Sequence, residues 1–307
     1  MKLVNIFLNI LLIFLKFIIF IKKNNHFAIF LIKIKYKLLQ KKLKWIIIIT
    51  GVIMGKIIAV TNQKGGVGKT TTCVNVAAYL ADSNYKVLLV DMDPQGNGCS
   101  SLAVEVQGEQ KSIYDVLLGE CSIKNAIYPS VMKNLDVVPS TVDLSAAEVD
   151  LVYMDNREKI LKEAFNEIKH LYDYIFIDCP PSLGLLTVNA LTASDSIIIP
   201  IQCEYFALVG LGQLMNTVRL IKKHLNPSIE IEGVLLTMKD NRSNLVSQVS
   251  DEIKKYFETK VYNTTIPRNI KLAESPSFGK PIVLYDNKSK GAIAYKSLAE
   301  EFLSRQK

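Results

Sequence analysis

One nine-residue stretch limits what this chain can fold into more than any other: Gln63-Lys64-Gly65-Gly66-Val67-Gly68-Lys69-Thr70-Thr71. It follows a β-branched run, Lys56–Val60, and leads into an apolar helical pattern from Thr70 to Ala81. Glycines at three of four consecutive positions allow a turn in which successive N–H groups face inward. A helix N-terminus adds its dipole, Lys69 a point charge and Thr70 a hydroxyl for Mg²⁺. Strand, phosphate loop and helix in that order demand an α/β sheet.

The rest of the pattern agrees. Short β-branched runs at Lys56–Thr61, Val87–Asp91, Leu135–Pro139, Tyr174–Asp178, Ser196–Pro200, Gly233–Thr237, Val261–Ile266 and Ile282–Leu284 read as strands. Helical spacing falls between them, at Thr70–Ala81, Ile113–Leu118, Arg157–His170, Leu185–Ala193, Gly210–His224, Leu245–Phe257 and Lys290–Leu303. Several strands are apolar at every position, as a strand covered on both faces must be. The expected fold is therefore α/β, with a mostly parallel central sheet and helices on both faces.

Ligands of such sheets bind where strand C-termini converge. Two strands end there in carboxylates: Val87-Leu-Leu-Val-Asp91-Met-Asp93-Pro-Gln-Gly96 and Tyr174-Ile-Phe-Ile-Asp178-Cys-Pro-Pro181. Asp178 is placed to hold Mg²⁺ through water, Asp91 to support the same shell, and Asp93 to orient an attacking water. The chemistry is phosphoryl transfer to water, with the protein supplying position and charge.

Net charge is misleading here. The chain carries +8 overall, but residues 1–53 hold ten lysines and no Asp or Glu, which leaves the remainder at −2. Val4–Ile21 is nearly long enough and apolar enough to span a bilayer. The leader is almost wholly Ile, Leu, Phe, Lys and Asn, and reads as translation from an upstream, non-native start. A membrane tether is the alternative. Residues 54–307 then form one domain. Five widely spaced cysteines without a C-x-x-C pair read as reduced core thiols.

The loop departs from the usual G-x-x-x-x-G-K-[ST] pattern by placing Gln63 where Gly is expected and adding Lys64. That K-G-G-V-G-K-T-T form resembles the deviant phosphate loop of the ParA/Soj partitioning ATPases. The resemblance extends through Asp91–Asn97, Asp178–Ser182, Asn189–Ala193, Gln202–Tyr205 and Ile266–Asn269. It implies a P-loop NTPase fold and slow hydrolysis of ATP with Mg²⁺. Lys64, Lys69 and Asp93 would be catalytic, and Lys64 through Thr71 would form the phosphate cradle. Thr70, Asp91 and Asp178 would serve the metal, with Pro267 and Asn269 beside the base. It also implies a homodimer on ATP binding, in which Lys64 reaches the partner's nucleotide. Non-specific double-stranded DNA and a ParB-type centromere-binding protein are the further partners, and the location is cytoplasmic and nucleoid-associated. Residues 239–307 hold 13 Lys and Arg against 8 Asp and Glu, so DNA contact is expected there, first at Arg242 and Lys271 and then at Arg268, Lys280, Lys288 and Lys290. A membrane-cycling division regulator of the MinD type is the rival; it would need a basic amphipathic C-terminal helix.

Overall fold

A computed structural model describes residues 55–204, 207–239 and 244–306. The lysine-rich leader lies outside them, as does Arg242. Among the described residues no helix is long and apolar enough to cross a membrane. Met54–Lys307 gather into one compact unit.

Its centre is a seven-stranded sheet of β1 (Lys56–Val60), β2 (Val87–Asp91), β3 (Tyr128–Pro129), β4 (Leu135–Val138), β5 (Tyr174–Asp178), β6 (Ser196–Gln202) and β7 (Glu230–Thr237), in the order β3-β4-β2-β5-β1-β6-β7. All neighbours pair in parallel except the two-residue β3, which runs antiparallel to β4. Side chains alternate along each strand, and the core divides accordingly. Ile57, Ala59, Leu88, Val90, Ile175 and Ile177 meet helices on one face. Ile58, Val60, Leu89 and Phe176 meet helices on the other.

The second face is covered by α1 (Lys69–Asp82), and the last helix, α11 (Lys290–Ser304), packs against α1. The first face carries α3 (Ile113–Leu117), α4 (Leu144–Asp150), α5 (Ile160–Phe165), α6 (Leu185–Ala193), α7 (Ala207–His224) and α8 (Asn244–Phe257). Short helices α2 (Asn97–Ser100), α9 (Ile270–Glu274) and α10 (Ile282–Tyr285) lie in the connections.

Three expected elements differ. Ile282–Leu284 is not a strand but α10. Pro281, at φ −63°, starts a helical turn, and the Ile282 N–H donates to Asn75 Oδ1 of α1 (2.8 Å). Val261–Ile266 follows β7 through the Tyr262 and Ile266 N–H groups, but it is no continuous strand. Glu301 of α11 takes the intervening N–H groups of Asn263 and Thr264 (both 2.8 Å), drawing that backbone out of the ladder. Only Ile160–Phe165 of the expected Arg157–His170 helix is α-helical; Asn156, at φ 54°, interrupts the chain before it.

At the N-terminal edge of the sheet a polar knot ties the ends of the domain together. Glu232 of β7 accepts from Lys56 of β1, from Ser196 of β6 (2.6 Å) and from Gln306 beyond α11 (2.7 Å). Burial alone would raise the Glu232 carboxyl, but these three donors outweigh it and hold it below its ordinary 4.5. A carboxyl lowered on folding adds stability that is complete above pH 4.5 and lost as pH falls through the folded value. Glu232→Gln should therefore cost about 1–2 kcal/mol at pH 7 in urea unfolding, with a penalty that shrinks toward pH 3. A penalty independent of pH would contradict this assignment.

Candidate nucleotide site

The loop between β1 and α1 is shaped by its own backbone. Gly66 (φ 73°) and Gly68 (φ 86°) take left-handed conformations that other residues resist, and Gly68 caps α1. No atom of the described residues beyond the chain neighbours lies within 4 Å of where a Cβ on Gly65 or Gly66 would stand, so the cradle is open on their side. Its base is anchored from behind. Thr237 Oγ1, at the end of β7, donates to the Val67 carbonyl (2.8 Å), and Asn62 Nδ2 donates to the Pro200 carbonyl (2.7 Å). Val67 itself is buried, so it holds the loop down with its side chain and can offer a phosphate only its backbone.

Strand register brings the carboxylates to that loop. Val60 pairs with Asp178, and Asp178 with Asp91, so the three strand ends stand in one row. Asp91 is well satisfied: Oδ1 accepts from the Asp93 N–H (3.1 Å) and Oδ2 from the Cys99 N–H (2.9 Å). Gly98 permits that closeness, since a Cβ there would come within 2.8 Å of Asp91 Oδ2. Asp178 is different. It is fully buried and neither carboxylate oxygen has a hydrogen-bond partner among the described residues. The Thr70 hydroxyl approaches it closely enough to ease its ionisation without forming a well-made bond.

The electrostatics follow from burial. Desolvation pushes Asp91 up to about 6 against its two backbone donors. Desolvation, followed by the charge of Asp91, pushes Asp178 well above the usual carboxylate range. Lys69, also buried, is lowered by desolvation, and Asp178 resists that shift. Two acids and one base thus share a dry row with too little positive charge. An added cation beside an anionic ligand would relieve it.

In front of the row lies a cavity of about 500 Å³ lined by Gly65, Gly66, Gly68, Lys69, Thr70 and Thr71. Asp93, Pro267 and Asn269 line it too. Asn269 caps α9, its Oδ1 accepting from the Leu272 N–H (3.3 Å). Sequence reasoning missed Asn97, Thr237 and Leu272 on the same wall. Arg268 and Lys280, read from the sequence as part of a basic surface, also line this cavity. Lys64 is not among the lining residues: its ammonium pairs with Glu204 beyond β6. Lys271 lies on α9, paired with Glu274 (2.9 Å). Four of the five cysteines are buried.

The residues fit a nucleoside triphosphate with Mg²⁺. The orphaned Asp178 oxygens and the Thr70 hydroxyl are hard donors, and among the described residues no cluster of three His, Cys, Asp or Glu forms a dedicated metal cage. Mg²⁺ is held in that way, through a carboxylate or two, waters and phosphate oxygens.

A family model described as an AAA domain matches residues 55–231. The sporulation initiation inhibitor protein Soj of Bacillus subtilis (strain 168) is 59 % identical over 248 residues, spanning 81 % of this chain and 98 % of that protein. The chain belongs to the ParA/Soj family of partitioning ATPases. The chromosome partitioning protein ParA of Myxococcus xanthus (strain DK1622) is 52 % identical over 252 residues, covering 82 % of this chain and 89 % of that one. Among solved structures, cobyrinic acid a,c-diamide synthase of Mycobacterium smegmatis with bound ADP and magnesium aligns at 36 % identity and a TM-score of 0.72, covering 82 % and 96 % of the two chains. The P-loop NTPase fold expected of a ParA/Soj chain is thus the fold observed.

If the unpaired carboxylate is kept for a cation, removing it should help the empty protein and harm the loaded one. Asp178→Asn is expected to raise the melting temperature of the nucleotide-free chain by a few degrees, on the order of 1–2 kcal/mol. The stabilisation by ATP with Mg²⁺ should shrink over the same comparison. Destabilisation of the empty protein would show that Asp178 is structural.

Proposed function

We propose that residues 54–307 form an ATP-driven partitioning switch. It binds ATP with Mg²⁺, pairs face to face with a second copy, and holds double-stranded DNA without sequence preference. It hydrolyses ATP when a ParB-type protein engages it, and it resides on the nucleoid in the cytoplasm. The observation that carries this reading is the division of labour between the two loop lysines. Lys69 is buried at its own cavity, while Lys64 stands outside it, paired with Glu204. A second loop lysine that does not line its own cavity is suited to a nucleotide on a partner.

The chemistry requires little of the protein beyond position. The loop amides and Lys69 would hold the β- and γ-phosphates, while Thr70 and Asp178, with Asp91 behind, would hold the cation. A Mg²⁺ held there would supply positive charge against that building on the phosphate oxygens. Asp93 would orient the attacking water. Its backbone is fixed, because the Asp93 carbonyl accepts from Ser140 Oγ (2.6 Å) and its Oδ1 accepts from the Gln95 N–H (3.0 Å). Pro267 and Asn269 would flank the base. Lys64 would complete the charge in trans, so the lone subunit should be slow.

DNA contact would fall to Lys271, whose ammonium pairs with Glu274 outside the cavity, and to Arg242, and would follow local charge rather than net charge. The MinD-type alternative is disfavoured by α11, which uses its apolar face, Tyr295, Leu298 and Phe302, on the core and exposes one large apolar side chain, Ile293.

The test is DNA co-sedimentation and ATP turnover of the chain with ATP, ADP or no nucleotide. DNA binding should appear with ATP alone. Lys64→Ala should abolish the ATP-dependent dimer and DNA binding while single-site ATP binding persists. Arg242→Glu should abolish DNA binding and leave dimerisation intact; Lys271→Glu should weaken DNA binding and lower the slope of log affinity against log salt by about one. Nucleotide-independent DNA binding would contradict the switch.

A further inference from the structure

The two walls of the cavity are built differently. The phosphate wall is one continuous piece, the loop after β1 running into α1. The base wall, residues 267–281, holds only α9, the 3₁₀ turn Ser275–Phe278 and the approach to α10, yet Pro267, Asn269, Leu272, Pro276 and Pro281 face the cavity from it. Strand register places the carboxylates but does not reach this wall from residue 268 onward. Its distance from the phosphate loop is therefore set by side chains.

Asn75 makes the connection. It stands one turn into α1 from Thr71, buried, on the cavity side. Its Nδ2 donates to the Thr71 carbonyl and its Oδ1 accepts from the Ile282 N–H, both at 2.8 Å. One amide thus joins the end of the phosphate loop to the residue that follows Pro281. Nothing else recommends asparagine there. It is a weak helix former, and a buried amide is costly unless both of its ends are matched. Leucine, of similar size, would suit the helix and the core better.

The other end of the wall rests on α11. Gly291, buried in its first turn, lies so close that a Cβ there would come 2.6 Å from Leu272 Cγ and 3.2 Å from Asn269 Oδ1. That oxygen is already committed to the Leu272 N–H, so the Asn269 Nδ2 is the end left to meet a base. α11 is in turn fixed to α1, where the Tyr295 hydroxyl meets Thr72 Oγ1 (3.1 Å) with both side chains buried. The base wall is clamped at both ends, and both clamps refer to the helix that the phosphate loop opens.

We propose that Asn75 is a positioning residue for the nucleotide: it fixes the span from the phosphate loop to the base wall, and Gly291 holds the same wall from its other end. Base and phosphates then find their partners at one preset distance, with no ordering left to the moment of binding. This rests on the reading that Pro267 and Asn269 flank the base, and it needs neither DNA nor a partner protein.

The readout is the affinity for ATP divided by that for inorganic tripolyphosphate, each with Mg²⁺, from titration calorimetry on the whole chain. Tripolyphosphate fills the phosphate loop and leaves the base wall untouched, so the ratio reports the wall and any loss common to both ligands cancels. Asn75→Leu, or Asn75→Ala where the leucine does not fold, should lower the ratio by about tenfold or more, with tripolyphosphate affinity within about threefold of wild type. Gly291→Ala should lower the ratio too. Asn75→Asp, which retains an acceptor for the Ile282 N–H, should keep the wild-type ratio even though its charge weakens both ligands. An unchanged ratio in Asn75→Leu, whether both affinities hold or both fall, would overturn the proposal. A ratio that falls as far in Asn75→Asp would overturn it as well. A wild-type chain that binds tripolyphosphate as tightly as ATP would instead refute the placement of the base at this wall.

Discussion

Everything at the site depends on the parallel pairing of β1 with β5 and β5 with β2. That register sets Val60, Asp178 and Asp91 level with one another, so a loop leaving β1 is beside two carboxylates without further help. A slip of one residue would turn Asp178 from the row and carry its neighbours to the other face. The apolar runs Ile57–Val60, Ile175–Ile177 and Leu88–Val90 are buried on both sides and cannot slip without exposing themselves. The chemistry is thus positioned by core packing, and the polar residues need only stand at the right strand ends.

Those ends are costly in the empty state. Asp178 has no hydrogen-bond partner within bonding geometry among the described residues, Asp91 is held near 6 by desolvation, and Lys69 is lowered by the same burial. Buried polar groups left unmatched are rare in stable folds. Their cost is offset by two well-packed faces and by the Glu232 knot at the far edge of the sheet. A site that is strained when empty binds the complementary charge of a metal and a triphosphate with that strain released.

How much of this was legible in the sequence depended on whether the cause was local. The phosphate loop, β1, β2, β5 and the strand-end aspartates were readable because glycine chemistry and uninterrupted β-branched runs act over a few residues. Ile282–Leu284 misled because its propensity is that of a strand, while Pro281 and a hydrogen bond from the Ile282 N–H to Asn75, more than 200 residues away, made it a helix. Val261–Ile266 failed similarly, through Glu301. The cavity positions of Arg268 and Lys280 and the Lys64–Glu204 pair depend on tertiary neighbours and carried no local signal.

The central claim is that the loop and the two strand-end carboxylates act as one cradle for ATP with Mg²⁺. Hydrogen exchange resolved to single amides, with and without ATP and Mg²⁺, tests it directly. The account predicts that N–H groups from Gly65 to Thr71 slow together with those of Asp93 and Cys99, that Mg²⁺ is required for the latter, and that the far edge around Ser196 and Glu232 is unaffected. Protection confined to other segments, or slowing of the loop without any response at Asp93 and Cys99, would contradict it.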